Sequence, residues 1–293
     1  MVQQYFASDT FRHFDPQTKS GKRSSLGRYC KREGLPVYAE LCREDVEASR
    51  DDLAATPGAA DNLTKHLRAL FNWAISKRLM RTNPAAGVAK HNRSDGYHCW
   101  TREEVERYRQ YHLVGSKARL ALELMINTGV RKSDAARIGR HNEINYQSER
   151  GIEIGLKFVC WKNRNSKFRK TIECPMTRNL REVLAATSLG ERAYLVTAHG
   201  RPFTINGLGN KMREWCDQAG LFQCSSHGLR KASAVILAES GATGPELCAI
   251  FGWSKLQTAE IYIQQAQKRR LVWNAFNRLE DFSSAPPIGL SSI

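Results

Sequence analysis

The chain has 293 residues, 41% hydrophobic and 25% charged, enough apolar content for a buried core in one large or two moderate domains. Lys and Arg number 45 against 29 Asp and Glu, a formal charge of +16 with a pI near 9.7, which favours a polyanionic partner, nucleic acid above all. No apolar run approaches the ~18 residues of a membrane span, and the opening MVQQYFASDTFRHF lacks an apolar signal core, so neither a membrane nor a secreted protein is expected.

Eight scattered cysteines without a CxxC pair read as reduced thiols of a cytosolic protein. Cys216, Cys224 and His227 lack a fourth ligand at zinc-site spacing, so no metal is expected.

Residues 1–35 are polar and basic, with a short helix near 26–31. A helical pattern resumes past Pro36, and the charged helix opened by Arg43 should end before Pro57. Leu63, Leu67, Leu70, Phe71, Ala74, Ile75 and Leu79 then recur three or four apart, one apolar stripe on a long helix that Pro84 stops. Lys65, His66, Arg68, Lys77 and Arg78 lie off that stripe, either as a solvated outer face or as a DNA-facing one. Residues 1–88 therefore form an all-helical unit, and polar, Gly-containing residues 89–97 are the expected linker.

The second unit, 98–282, opens with a capping box, Thr101 with Glu104. An apolar helix over 118–127 breaks at Thr128-Gly129. Arg131 and Lys132 follow, with Ser133-Asp134 expected to cap the next helix. Ile152, Ile154, Leu156, Phe158 and Cys160 alternate as a half-buried strand, and Thr171–Cys174 return as a second. Between them lies a basic turn in which Lys162, Lys167 and Lys170 compete for any role beyond solvation. Helices are expected at 178–187, 205–219 and 232–239, and after a Thr243/Glu246 box to Gly252. Tyr262 comes next, on or just past a short helix, and Leu271, Val272, Ala275, Phe276 and Leu279 mark a last amphipathic helix. The tail 283–293, rich in Ser and Pro, reads as disordered. The fold class is mainly α with a small β hairpin.

His227 and Arg230 stand three apart, so on a helix they share a face and reach one ligand. An imidazole moves protons near neutral pH, and a guanidinium grips a phosphate through paired hydrogen bonds. Attack on a DNA phosphodiester adds negative charge in the transition state, so fixed cationic donors are what that reaction needs.

TGVRKSD with Arg131, the hairpin lysine, HGLR with His227 and Arg230, the Gly252-Trp253 pair and Tyr262 occur in one order over about 130 residues, followed by an amphipathic helix. In this ordered set the chain resembles the tyrosine recombinases of the phage integrase family. FNWAISKRL and NPAAGV in the first half are similar to that family's SAM-like core-binding domain. The resemblance implies a core-binding domain followed by a catalytic domain and a site of Arg131, Lys162, His227, Arg230, Trp253 and Tyr262, with Tyr262 the nucleophile of a 3′-phosphotyrosine intermediate. Lys167 is the alternative hairpin lysine. Lys65, Arg68, Lys77, Arg78, Lys132 and Lys167 are the expected DNA contacts. Trp253 departs from the histidine usual there: an indole donates one hydrogen bond but moves no proton.

The implied activity is integration or excision of a prophage or genomic island, without cofactor, by a homotetramer on two attachment-type DNA sites. Its protomers would touch through the C-terminal helix, possible accessory factors would bend DNA or set direction, and the setting would be the bacterial cytoplasm, on the nucleoid. Rival readings are a Xer-like resolvase, a type IB topoisomerase, and a decayed integrase that only binds DNA.

Overall fold

Apolar periodicity separates the chain into two units, residues 1–95 and 96–293, that divide inside the expected linker. The computed structural model describes residues 1–34, 40–91, 96–149, 151–164 and 169–284. The helix expected just past Pro36 begins outside them, and Lys167 and the tail from 285 also lie outside.

In the first unit, α1 (Val2–Ala7) and α2 (Asp9–Arg12) lead into α3 (Pro16–Glu33), which is far longer than the short helix expected within it. The Asp15 side chain caps α3 by accepting from the Gln17 N–H, with Pro16 at its first position. Next come α4 (Arg43–Asp51) and α5 (Pro57–Ser76). Leu63, Leu67, Leu70 and Phe71 of α5 bury their stripe against Tyr5, Phe11, Leu26 and Val46. α5 stops at Ser76, well short of Pro84, because Arg78 takes a left-handed φ of 58°. Lys77 and Arg78 therefore lie beyond the helix end rather than on its polar face.

The second unit opens with α6 (Arg102–Tyr111), whose Thr101 hydroxyl accepts from the Glu104 N–H at 3.2 Å while the Glu104 carboxylate accepts from the Thr101 N–H at 2.8 Å. α7 (Lys117–Thr128) is buried nearly all round and ends at Gly129 in the left-handed region. The short α8 (Lys132–Ala135) is capped by Arg131 itself, so Ser133 and Asp134 lie inside the helix they were expected to cap.

Three antiparallel strands follow in the order β1 (Glu143–Ser148), β2 (Gly151–Val159) and β3 (Thr171–Pro175). β2 carries the expected alternation, but only Leu156, Phe158 and Cys160 reach the core, while Ile152 and Ile154 are exposed. Leu156 pairs with Cys174 and Phe158 with Ile172. β1 is an addition to the expected hairpin; its EINYQS sequence has few apolar residues to signal a strand.

Helices α9 (Arg178–Ala186) and α10 (Ile205–Gln218) lead to α11 (Ser226–Glu239), α12 (Gly244–Phe251) and α13 (Leu256–Ser284). Tyr262 and the expected last helix belong to one unbroken 29-residue helix, since no Gly or Pro interrupts residues 256–284. α11 packs on α7, where the Ser233 hydroxyl donates to the Ile126 carbonyl at 2.7 Å. No helix among the described residues is long and apolar enough to cross a membrane.

Candidate active site

Arg230 lies on the first turns of α11, and its guanidinium is fixed from two sides. It donates to the Gly129 carbonyl at the end of α7 and, at 2.6 Å, to the Phe251 carbonyl at the end of α12. Both helix ends need glycine. Gly129 (φ 62°) has the Phe251 ring where a Cβ would sit, and Gly252 (φ 60°) rests on Cys160 and Ile172 of the sheet. Two of the five guanidinium donors are used this way, leaving the others for a ligand. Burial, then Arg131 beside it, pushes the Arg230 pKa down to about 10, with Asp134, Cys160 and Tyr262 acting in the opposite direction. Arg230 is thus still a cation at neutral pH, held close to a second cation.

Asp134 is the buried carboxylate of this group. Burial raises its pKa, against the pull of the Trp161 N–H, Arg131 and Arg230. Its Oδ1 accepts from the Trp161 N–H at 2.7 Å, which ties α8 to the start of the β2–β3 turn. The Trp161 ring lies between two guanidiniums, Arg137 at 3.4 Å and Arg164 at 3.7 Å. Lys162 follows on the same turn and is exposed. Lys170, at the other end of the turn, has its stem beside Gly252, 3.7 Å from where a Cβ would sit, and its carbonyl accepts from the Cys160 N–H at 2.9 Å.

Tyr262 projects from the second turn of α13 into a stack of three rings. Phe251 and Trp253 lie 4.7 Å apart at 16°, and Trp253 and Tyr262 5.3 Å apart at 7°. Burial raises the Tyr262 phenol pKa, Cys99 adds to the rise, and Arg230 lowers it. Trp253 thus presents its ring face as the surface on which Tyr262 rests.

His227 stands one turn before Arg230 on α11. Partial burial lowers its pKa, and Lys132, Arg131 and Arg230 lower it further. Lys132 lies between His227 and α10, its ammonium against Gly209.

Five of the six residues expected at the centre, Arg131, His227, Arg230, Trp253 and Tyr262, thus share one locality, and the sixth, Lys162, is on the turn that adjoins it. The residues not singled out from the sequence are Trp161, between its arginines, and Phe251, under Trp253, while Asp134, expected as a cap, instead links α8 to the hairpin. Trp161 and Phe251 are both placed by side-chain ring contacts, which leave no spacing signature.

Among the expected DNA contacts of the first unit, Lys65, Lys77 and Arg78 are exposed. Arg68 is not a free surface cation: it donates to the Ala85 carbonyl at 3.0 Å and to the Val88 carbonyl at 3.3 Å, which pins the chain after α5. Lys65 shares its side of the unit with the buried Lys22 and with His66, whose pKa burial and these two lysines hold down to about 4.

Among the described residues one trio, His98, Glu104 and Cys224, places potential metal-ligating atoms within 4.8 Å of one another. Its carboxylate already accepts from the Thr101 N–H, the His98 ring and the Gln223 amide.

Residues 102–269 match the model of the phage integrase family, and this span contains every member of the cluster. The chain belongs to the phage integrase family. It is a tyrosine-type site-specific recombinase, an enzyme of DNA strand cleavage and transfer. It is similar to tyrosine recombinase XerC 2 of Ralstonia nicotianae, 22% identical over 280 residues, covering 85% of this chain and 77% of that one. Among solved structures, a lambda integrase dimer bound to a COC′ core site superposes with a TM-score of 0.73 at 18% identity, over 89% of this chain and 93% of that one. The Tn1549 transposon integrase in complex with circular intermediate DNA gives 0.70 at 15% identity, over 92% and 97%. A lambda integrase tetramer bound to a Holliday junction also gives 0.70, at 18% identity over 89% and 75%. These likenesses extend through both units and agree with the mainly helical fold and its small sheet.

Proposed function

We propose that this recombinase cleaves one strand of duplex DNA by attack of the Tyr262 Oη on a phosphodiester held by Arg131 and Arg230. The new bond joins Oη to phosphorus and the bond to the 5′ oxygen breaks, leaving a 3′-phosphotyrosine. The phenol proton passes to the neutral His227 ring, and the departing 5′ oxygen takes a proton from a lysine of the β2–β3 turn. Lys162 and Lys170 both belong to that turn, and the packing of the Lys170 stem beside Gly252 favours Lys170. The phosphate ester keeps the energy of the broken bond, so rejoining to another 5′-hydroxyl needs no nucleotide.

The observation that carries this reading is the Arg230 guanidinium, held by two helix-end carbonyls, with Arg131 and the Tyr262 phenol both near enough to alter its titration. A double-stranded substrate nicked beside the cleavage site traps the intermediate, because the short 5′ fragment diffuses away. Wild-type protein is expected to form a covalent DNA adduct and Tyr262→Phe none. DNA binding without any adduct would favour a binding module instead.

The reading extends to assembly. Past Tyr262, α13 exposes Leu271, Val272, Trp273, Phe276 and Leu279, each at least 49% accessible, an apolar face suited to a neighbouring protomer. Four protomers on two attachment-type sites, joined through this helix, would serve the mobility of a prophage or genomic island. The tetramer and dimers of lambda integrase on DNA support that arrangement by analogy.

A further inference from the structure

The second unit begins with residues 96–100, and these run across the first turn of α11. The Trp100 indole donates to the Ser225 carbonyl at 2.9 Å, and the Lys231 ammonium donates to the Tyr97 carbonyl at 2.9 Å. Between these two ties the His98 carbonyl lies where a side chain on residue 228 would be, so Gly228 of the HGLR motif is what lets the segment lie so close. The Tyr97 ring is laid face-on against the His227 imidazole, with centroids 4.5 Å apart and planes at 18°.

Tyr97 is 56% accessible, so core packing does not account for its position. The cations around His227 are Lys132 and Arg131 from the α8 turn and Arg230 from its own helix, and charges that act at a distance cannot select an imidazole plane. The face contact from Tyr97 can, since aromatic rings prefer such offset stacking and an unstacked histidine near a helix start has rotamers to choose from.

We propose that Tyr97 is a positioning residue for His227, its ring fixing the plane in which the imidazole meets the phosphate and the Tyr262 phenol. This rests on the assignment of His227 to the cleavage step. Catalytic groups must be held within about half an ångström of their working place, and supporting contacts rather than the group itself provide that. The stack also covers one face of the imidazole from water.

The test compares Tyr97→Ala, Tyr97→Phe and wild type on the nicked substrate, with Tyr262→Phe as control. Tyr97→Ala is expected to slow adduct formation about 3- to 10-fold, the range of an aromatic contact, with DNA affinity unchanged. The acid limb of its rate profile should move to higher pH, because the uncovered imidazole protonates more readily. Nuclear magnetic resonance titration of the His227 ring in the free protein should show the same upward movement. Tyr97→Phe keeps the ring and should keep the wild-type rate and both titrations. A Tyr97→Ala protein with wild-type rate and an unmoved His227 titration would overturn the proposal, as would Tyr97→Phe behaving like Tyr97→Ala. Absence of an adduct from wild type would instead overturn the cleavage assignment, and the His227 titration would still report on the contact.

Discussion

The second unit gathers two arginines around a buried carboxylate twice, and the two clusters are balanced in opposite ways. Glu123 of α7 is fully buried, and its carboxylate accepts from Arg109 at 2.9 and 3.0 Å, from Arg119 at 2.8 Å and from Asn127 at 3.0 Å. Burial alone would raise its pKa, yet the two arginines hold it below the ordinary carboxylate value. At Asp134 the same residue types end with the carboxylate pKa raised and one guanidinium pushed down to about 10. There the bonds of Arg230 go to backbone carbonyls and Asp134 receives a backbone N–H. Saturated charge gives a structural strut; charge in excess gives a pocket with cationic donors to spare. The contrast shows why an arginine pair by itself does not identify a site.

Breaking each cluster should therefore damage a different property. Arg230→Ala is expected to slow adduct formation by roughly 10²–10³-fold or more, the effect of removing a donor that stabilises transition-state charge, as measured in single-turnover cleavage. Glu123→Ala strands two guanidiniums and should lower stability by about 3–5 kcal/mol in denaturant unfolding, with cleavage per folded molecule unchanged. The comparison is sharpened by pH. A carboxyl whose folded pKa is depressed stabilises the fold above its unfolded pKa, and that stability is lost as pH falls through the folded value. Glu123→Gln should thus remove part of the acid-side decline in stability seen in wild type.

Smaller effects are expected at the edges of the site. Trp253→Ala takes away the ring under Tyr262 and should slow cleavage about 10-fold, while Trp253→His, which keeps an aromatic face, should still cleave. Lys65→Ala should weaken DNA binding evenly across sequences and reduce the salt slope by about one phosphate contact, as measured by titration at several salt concentrations.

Much of this was legible in the sequence because the motifs sit at helix starts and ends. TGVR placed Arg131 just past Gly129, HGLR placed His227 and Arg230 on one helix face, and the capping boxes at Thr101 and Thr243 marked real helix starts. What escaped was whatever depends on contacts between distant residues. Arg68 reads as a surface cation until the 85–88 carbonyls close on it. The role of Trp253 could not be read from its hydrogen-bonding capacity, since the ring stack joins residues from two helix ends. The continuity of α13 was hidden because the mostly polar run QQAQKRR at 264–270 interrupts the apolar pattern without any helix breaker. Tyr97, assigned to the linker by composition, turns out to lie on His227.

The central claim is that the Tyr262 oxygen becomes bonded to a phosphate gripped by Arg131 and Arg230. Mass spectrometry of the digested covalent complex tests it most directly. Nucleotide should be found attached through its 3′ phosphate to the peptide bearing Tyr262. Attachment at any other residue, or through a 5′ phosphate, would contradict it.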